Sequence, residues 1–357
     1  MAKIKIIHLV EALGGGVYSY FIDLSHFFGE SQSTESHVVY SDQRPEIDPA
    51  KVKTDFHSKV GLTPVSMTNK PSVFGDLRAL IVLIKVIKDL KPDVIHLHSS
   101  RMSVLGRLAH LLSFSRSKLF YTPHGYPFLK KDVSLGKRKV YYKIEKYFAK
   151  IGGLTIACGD TELKLAKKIS DSLLVRNGIN LKKINTLITK VENQKLTIGI
   201  LGRITYARNP ELFNRIALKH PEIRFIWIGD GELRSVITSK NIEVTGWSQR
   251  EKALEQLNLI DVYLQTSLWE GLPIAVLEAM AFKKPVLATN VIGNKDVVLH
   301  GETGYLFDDE EELGGYIKLL LNESHRLSLG KRGLARVERY FDSNKNFKGL
   351  EEIYLKH

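Results

Sequence analysis

The sequence predicts an α/β protein built from two Rossmann-like halves, each with a parallel sheet. Short apolar, β-branched runs alternate with longer amphipathic stretches along the whole chain. Strands that alternate with helices form βαβ units, and the strands of such units are parallel. The alternation occurs in two successive series, and a length of 357 residues suits two domains.

The first series contains four apolar runs that we interpret as buried strands, at 4–10, 36–41, 93–99 and 154–158. Helical patterns at 17–28 and 74–90 lie between them. The second series contains five further runs of the same kind, at 196–202, 223–229, 242–246, 261–267 and 284–290. Both series therefore have the βαβ order of a doubly wound sheet.

The domain boundary is predicted near residues 175–183, where Asn177-Gly178 is a turn signal followed by lysines and polar residues. We expect an N-terminal domain over 1–178 and a C-terminal domain over 179–340. The remaining 341–357 segment has a helical pattern and no strand partner.

Composition fits a soluble globular protein, with 43% apolar and 25% charged residues. The single Cys158 excludes an internal disulfide framework and favours a reducing cytosol. The apolar start of the chain is too short for a secretion signal. A formal net charge of +13 favours an anionic partner, either nucleic acid, a phosphorylated substrate or an anionic membrane.

The stretch LWEGLPIAVLEAM (268–280) contains two glutamates, Glu270 and Glu278, eight positions apart. On one continuous helix they would point about 80° apart. Pro273 is a natural first helical residue and Gly271 a loop residue. We therefore expect Glu270 in the loop and Glu278 inside the helix, with both side chains directed into one pocket.

Several other marked residues are predicted at the carboxyl ends of strands, where open α/β sheets bind ligands. Arg203 and Arg208 follow the first strand of the second half and precede a helix that begins at Pro210. Two guanidinium groups beside a helix N-terminus suit a diphosphate, although an isolated pair is more often two solvated loop arginines. Glycines 14–16 follow the first strand and would let backbone N–H groups approach a phosphate or sugar, although a simple tight turn is equally compatible. The dinucleotide fingerprint G-x-G-x-x-G does not occur.

Histidines supply the remaining candidates. His124 lies in the apolar, aromatic loop YTPHGYPF (121–128), where it could donate hydrogen bonds or share a proton near neutral pH. His96 and His98 alternate at a strand end, and we expect His96 in the core and His98 in the pocket. Two histidines without a third ligand nearby in the sequence are weak evidence for a metal site. No D-x-D pair is present.

Taken together, these stretches resemble the family 4 retaining glycosyltransferases, which have the GT-B architecture. Matching segments occur in the family's order over nearly the whole chain. They are Gly15-Gly16-Val17, DVIHLHSS, the loop with His124, Asn177-Gly178-Ile179, Gly202-Arg203, Gly229-Asp230-Gly231, Thr245-Gly246-Trp247, the segment from Glu270 through Gly271, Leu272 and Pro273 to Glu278, and Gly301-Glu302-Thr303-Gly304.

The resemblance implies two Rossmann-like domains that face a central cleft, with the C-terminal helix returning to the N-terminal domain. It also implies transfer of a glycosyl group from a UDP- or GDP-linked sugar to an acceptor hydroxyl, with retention of configuration. Glu270 would bond the donor sugar and Glu278 the ribose, and His124 would position the donor sugar or the acceptor.

The remaining site residues follow from the same resemblance. We expect donor contacts from Gly15, Gly16, Arg203, Arg208, Gly246, Gly271, Leu272 and Pro273, and acceptor contacts from His98 and Tyr126. Arg208 and Asn209 replace the family's lysine and glycine, and Ile292 replaces one of two paired glycines, so the sugar pocket differs. Because Arg203 and Arg208 would supply the positive charge that binds the diphosphate, we expect neither a metal ion nor another cofactor.

The N-terminal domain is expected to bind the acceptor. Within it, residues 130–150 hold eight Lys/Arg and two acids, with Tyr141, Tyr142, Tyr147 and Phe148 interleaved. Basic amphipathic helices of this kind lie on anionic membranes, although a solvated basic face is equally compatible. A peripheral cytoplasmic enzyme that acts on a lipid-linked or surface-polysaccharide glycan in bacteria, such as lipopolysaccharide or capsule, would use such a helix.

Two other functions remain as alternatives. A nucleotide-sugar 2-epimerase also has two Rossmann-like halves, but the 121–128 loop and the ordered motifs disfavour it. A nucleic-acid-binding protein would explain the positive charge, but no recognised module is visible, and we expect no nucleic-acid partner.

Overall fold

The structure is a computed structural model that describes residues 3–11, 13–43, 47–68 and 72–357. The chain divides into two compact units. Unit 1 comprises residues 1–177 with 343–357, and unit 2 comprises residues 178–342.

Unit 1 contains a parallel seven-stranded sheet within the described residues. Its strands are β1 (Ile4–Val10), β2 (Thr34–Ser41), β3 (Gly61–Val65), β4 (Val94–His98), β5 (Lys118–Thr122), β6 (Leu154–Ala157) and β7 (Ser172–Leu174). Their spatial order is β3-β2-β1-β4-β5-β6-β7, so the order reverses between β1 and β4. Ligands of doubly wound sheets bind beside such a reversal.

Helices cover both faces of this sheet. They are α1 (Gly15–Glu30), α2 (Pro49–Asp55), α3 (Val73–Leu90), α4 (Ser100–Leu112), α5 (Leu135–Ala149) and α6 (Asp160–Ala166). One core packs Phe21 and Phe28 of α1 against the sheet, and the other packs Leu83 of α3 against the opposite face. The two faces alternate along β1, where Ile6 joins the first core and Ile7 the second.

Unit 2 contains a parallel six-stranded sheet. Its strands are β8 (Thr197–Leu201), β9 (Arg224–Ile228), β10 (Ile242–Val244), β11 (Val262–Gln265), β12 (Val286–Thr289) and β13 (Gly304–Phe307). The order β10-β9-β8-β11-β12-β13 reverses between β8 and β11. Its helices are α7 (Leu181–Asn185), α8 (Pro210–Lys219), α9 (Arg250–Glu255), α10 (Ile274–Ala281), α11 (Asn294–Val297), α12 (Glu310–Leu319) and α13 (Glu323–Tyr340).

The last helix, α14 (Ser343–Lys356), belongs to unit 1, and the predicted return of the C-terminal helix is confirmed. Phe347, Leu350 and Tyr354 bury its apolar side in the same core as α1. The predicted two Rossmann-like domains are also confirmed. Among the described residues, no helix has the length and apolar character needed to span a bilayer.

Candidate functional site

Two loops meet at the point in unit 2 where the strand order reverses. One follows β8 and carries Arg203 and Arg208, and the other follows β11 and carries Glu270. Leu268 N–H donates to Ala207 O at 2.8 Å, and Thr266 Oγ1 donates to Arg208 O at 2.6 Å. These bonds hold the two loops together as one rigid edge.

Glu270 lies in the loop before α10, as the sequence predicts, and its position is fixed on one side. Its Oε1 accepts hydrogen bonds from Gln265 Nε2 and Ser267 Oγ, each at 2.7 Å, and lies 3.2 Å from Arg208 Nη1. The side chain remains 17% exposed. These two hydrogen bonds and the ion pair all fall on Oε1, which leaves Oε2 as the oxygen best placed for a ligand hydroxyl.

Arg208 is a partly buried cation of this site, with 21% of its side chain exposed. Burial disfavours its charged form, but the charges of Glu270 and Glu278 outweigh this effect and raise its pKa. Its guanidinium packs on Gly202, where a Cβ would lie 3.3 Å from Arg208 Nε. Gly202 has a φ of +142°, so both the backbone conformation and the close approach favour glycine there.

Glu278 lies inside α10, and all eight residues of that helix are buried. Burial raises the pKa of Glu278, and Arg250 and Arg208 counteract the shift. Arg250, the first residue of α9, contacts Glu278 Oε1 through its Nη2. Arg250 is not predicted from the sequence, because it lies 28 positions before Glu278 and on a different helix.

Arg203 is more exposed than Arg208, with 43% of its side chain accessible, and Arg203 Nη2 lies 3.5 Å from Glu232 Oε2. The two predicted clamp arginines therefore differ. Arg208 is partly buried beside Glu270, and Arg203 lies at the surface in a weak ion pair.

The glycine after β12 lies close to Glu270. Gly293, after β12, has a φ of +85°, and a Cβ there would lie 2.6 Å from Gly271 O and 2.7 Å from Glu270 Cβ. Leu272 is 7% exposed, and Pro273 precedes α10 as its N-cap. Gly246 has a φ of +79° and follows β10.

In unit 1, Gly14 is the N-cap of α1, and Gly15 and Gly16 are its first residues. Gly15 has a φ of +54°, and a Cβ added there would meet nothing within 4 Å. The backbone conformation, and not crowding, therefore favours glycine at position 15. The turn leaves open space at the edge where β1 ends.

His124 follows β5 at the same edge, with a φ of +53°. Glu162 of α6 holds this turn, because its Oε1 accepts from Gly125 N–H and its Oε2 from Cys158 N–H, each at 2.8 Å. No sequence pattern marks Glu162 as a residue of this site. Burial lowers the pKa of His124 to about 4, so the ring is neutral at pH 7, contrary to the expected proton sharing near neutrality.

Two residues predicted to contact the acceptor are buried. His98 has no exposed surface, and it contacts His124 through Nδ1. Tyr126 is 2% exposed and stacks on Phe128. Strand alternation and loop position do not reveal such burial. Neither side chain presents a substantial exposed surface in this structure, and their contact with the acceptor stays a prediction.

His96 lies in the core, as expected, with its Nε2 2.9 Å from Thr122 Oγ1 and its Nδ1 at the hydroxyl of Tyr354. The sequence analysis found no third histidine nearby, but the structure supplies His8 on the neighbouring strand β1. Ring nitrogens of His8, His96 and His98 lie within 4.8 Å of one another. The nitrogens of His96 and His98 already face hydrogen-bonding partners, so hydrogen bonds account for this cluster.

A separate cavity of about 630 Å³ lies in unit 1 and is lined by Ile4, Val94 and Lys118, among others. These residues begin β1, β4 and β5. The cavity is therefore at the amino ends of the strands, opposite the edge that carries His124, and we do not assign the reaction to it.

Comparison with known families matches both halves of the chain. Residues 14–183 match the model described as Glycosyltransferase Family 4. Residues 184–336 match the model described as Glycosyl transferases group 1. Together the two models extend over residues 14–336, which include all the site residues predicted from the sequence.

Individual relatives agree with this result. The chain is 28% identical over 268 residues to the UDP-Gal:alpha-D-GlcNAc-diphosphoundecaprenol alpha-1,3-galactosyltransferase of Escherichia coli, covering 66% of this chain and 68% of that protein. It is 26% identical to the capsular polysaccharide biosynthesis glycosyltransferase CapM of Staphylococcus aureus, covering 81% of this chain and 83% of that protein.

A solved structure shares the fold. Sucrose-phosphate synthase from Thermosynechococcus elongatus superposes with a TM-score of 0.84 at 16% identity, covering 99% of this chain and 98% of that one.

Proposed function

The chain belongs to glycosyltransferase family 4, and we propose that it transfers a hexosyl group from a UDP-linked sugar to a hydroxyl of a lipid-linked glycan. We further propose retention of anomeric configuration and no requirement for a metal ion. One observation carries the donor assignment. Arg208 lies partly buried at the strand-order reversal of unit 2, in contact with Glu270. The E. coli relative, whose name specifies UDP-Gal and a diphosphoundecaprenol-linked acceptor, favours UDP and a lipid carrier.

The donor would lie across the β8 and β11 loops. Glu278 inside α10 would accept from the ribose hydroxyls, and Glu270 Oε2 would accept from a sugar hydroxyl. Arg208 would contact the diphosphate from within the protein, and the more exposed Arg203 would contact it from the solvent side. Gly246, Gly271, Leu272 and Pro273 would supply backbone contacts around the same ligand.

The chemical step would follow from these charges. As the glycosidic bond to the diphosphate breaks, positive charge grows on the sugar ring and negative charge on the leaving phosphate. Arg208 is fixed before the reaction by the two loops, so it can stabilise the phosphate charge without reorganisation. The carboxylate of Glu270, already oriented by Gln265 and Ser267, would favour the positive ring. The acceptor proton would pass to the departing phosphate oxygen.

Unit 1 would bind the acceptor at the edge that carries Gly15, Gly16 and His124. The open space at Gly15 admits a ligand close to the backbone. His124 would act as a neutral hydrogen-bond partner, because burial lowers its pKa well below 7.

The experiment that tests this function measures both binding and transfer. A saturating nucleoside diphosphate at 100 times Kd should stabilise the protein by about 2.7 kcal/mol, seen as a higher melting temperature. UDP, GDP and ADP are compared, and UDP is expected to act. UDP-hexoses are then supplied with a polyprenyl-diphosphate N-acetylhexosamine. If UDP does not stabilise the protein and no UDP-hexose reacts, the proposal fails.

Helix α5 supports a further proposal, that the enzyme docks on the anionic inner face of the cytoplasmic membrane. Val140, Ile144 and Tyr147 are 53%, 39% and 66% exposed and lie at i, i+4 and i+7, on one side of the helix. Exposed lysines 139, 143, 146 and 150 flank this stripe. By contrast, Tyr141 and Tyr142 pack against the core and are not part of the docking face.

Vesicle sedimentation tests this docking. Each basic residue near an anionic surface contributes about 1 kcal/mol, and the attraction falls with salt. We expect binding to phosphatidylglycerol-containing vesicles, lost on the double change Lys143→Glu and Lys146→Glu. The matched control makes the same charge change at Lys252 and Lys318, outside α5. Equal binding to neutral and anionic vesicles would contradict the proposal.

A further inference from the structure

Three histidine rings form a continuous row beneath the acceptor edge of unit 1. His8 Nδ1 lies 3.1 Å from His98 Nε2, and His98 Nδ1 lies 2.9 Å from His124 Nε2. The residues come from the neighbouring strands β1 and β4 and from the loop after β5. The planes of His98 and His124 differ by 18°, with ring centroids 5.2 Å apart, which fits a hydrogen bond in the plane of both rings.

The two ends of the row have no hydrogen-bond partner among the described residues. His8 Nε2 and His124 Nδ1 are both buried and unpaired. The surroundings of the two ends differ. His8 has no exposed surface and lies among the rings of Phe21, Phe28 and Tyr354. His124 is partly exposed and lies at the edge where the strands end.

The row permits only two proton arrangements when all three rings are neutral. Burial lowers the pKa of His8 to about 3 and of His124 to about 4, and lowers that of His98 well below its usual value. A neutral imidazole has one N–H and one acceptor nitrogen. In the first arrangement each ring donates towards His124, whose Nδ1 then carries a proton. In the second each ring donates towards His8, whose Nε2 then carries the unpaired proton.

The surroundings of His8 Nε2 decide between these two proton arrangements. Buried N–H groups without a partner are rarer in proteins than under-satisfied acceptors. An unpaired N–H is therefore disfavoured at His8 Nε2, which neither water nor a ligand can reach. His124 Nδ1 is also buried in this structure, but it belongs to a partly exposed side chain at the edge where the strands end, so a small shift of that side chain lets a ligand oxygen satisfy the same N–H.

We propose that His98 is a positioning residue that donates to His124 Nε2 and thereby holds His124 as a hydrogen-bond donor, through Nδ1, to an oxygen of the bound substrate. The inference rests on the proposed function for the substrate contact, but not for the tautomer. It also deepens that function. A ring whose Nε2 accepts from His98 and whose Nδ1 carries a proton cannot take the acceptor's proton, so the base must be another group.

The tautomer is measured directly by long-range ¹H–¹⁵N spectra of ¹⁵N-histidine-labelled protein, with His124→Gln assigning the signals. We expect a protonated Nδ1 and an unprotonated Nε2 for His124. The matched pair His98→Asn and His98→Leu follows. The asparagine amide reaches where Nδ1 was and can donate, whereas the nearly isosteric leucine cannot. The bias towards Nδ1–H should persist in His98→Asn and shift towards Nε2–H in His98→Leu.

Kinetics supply the second readout. His98→Leu should lower kcat for transfer at least tenfold, and His98→Asn should restore it to within threefold of the wild type. Binding of UDP to unit 2 should be unchanged in both variants, which controls for folding. If His98→Leu does not fold, the wild-type spectrum still decides the direction of the row.

The inference is wrong if His124 of the wild type is protonated on Nε2, or if His98→Leu leaves the His124 tautomer unchanged. It is also wrong if the wild-type protein binds one equivalent of metal and His8→Leu abolishes that binding. A different result separates it from the proposed function. If the wild-type tautomer is as expected but His124→Gln transfers sugar at full rate, the row stands and the substrate contact of His124 is wrong.

Discussion

Replacing Glu278 with glutamine tests the donor site through a single buried charge. The Glu278 side chain is 3% exposed, so water screens its interactions little. A hydrogen bond to a charged group contributes about 1.5–3 kcal/mol. Loss of that charge should therefore weaken binding of free UDP by about 10- to 150-fold.

The fold should survive this change. Arg250 loses its carboxylate partner, but its side chain is 33% exposed and can turn towards solvent. Glutamine also removes a carboxylate whose burial is unfavourable, as its raised pKa indicates. Circular dichroism and the melting temperature of the free variant check that the loss of affinity is not a loss of folding.

Glu270→Gln is the matched control in the same measurement. Free UDP has a ribose but no sugar, so Glu270 should not contribute to its binding. Glutamine at 270 can still accept from Gln265 and Ser267, and Arg208 would lose only its ion pair at 3.2 Å. Titration calorimetry should give UDP affinity unchanged or slightly tighter, while kcat falls because the carboxylate acts on the positive transition state. Wild-type UDP binding and full transfer activity in both variants would refute these roles.

Three further predictions follow from the same structure. Transfer should continue at full rate in excess EDTA, because Arg203 and Arg208 supply the positive charge; complete loss that manganese restores would refute this. Between pH 6.5 and about 4, His8 and His124 are protonated in the unfolded chain but stay neutral in the folded protein. As the pH is lowered through this range, the free energy of unfolding should therefore fall by about 1.4 kcal/mol per pH unit for each of the two histidines. Urea unfolding at several pH values measures this, and a flat profile over that range would count against neutral buried rings. Glu162→Gln should lower the free energy of unfolding by about 1–3 kcal/mol, because one of two backbone N–H groups loses its acceptor. Unchanged stability and kcat would show that Glu162 does not hold the His124 turn.

Local sequence patterns predicted the long strands well, because β-branched apolar runs such as that of β1 carry a strong signal. They did not predict the central strand β5, nor the edge strands β3, β7 and β13. β7 has three residues, β13 has four, and β3 contains Pro64, which weakens a strand assignment. These edge elements are specified by pairing with a neighbour that is already formed.

The same distinction applies to the site. Glu270 and Glu278 were placed correctly because Gly271 and Pro273 mark the loop and helix start between them. Arg250, Glu162 and His8 were missed because their contacts depend on how separate elements pack. His8 becomes the neighbour of His96 only through the register of β1 with β4. No spacing along the chain encodes that register.

The most direct test of the account is the product of one reaction. The enzyme, depleted of metal by chelation, is incubated with a UDP-α-hexose that stabilises it and a polyprenyl-diphosphate N-acetylhexosamine, and the new linkage is examined by proton NMR. We predict stoichiometric UDP release and an α-linked product. A β-linked product would contradict the proposed retention, and hydrolysis or epimerisation of the donor without transfer would contradict the central claim that this chain is a glycosyltransferase of lipid-linked glycans.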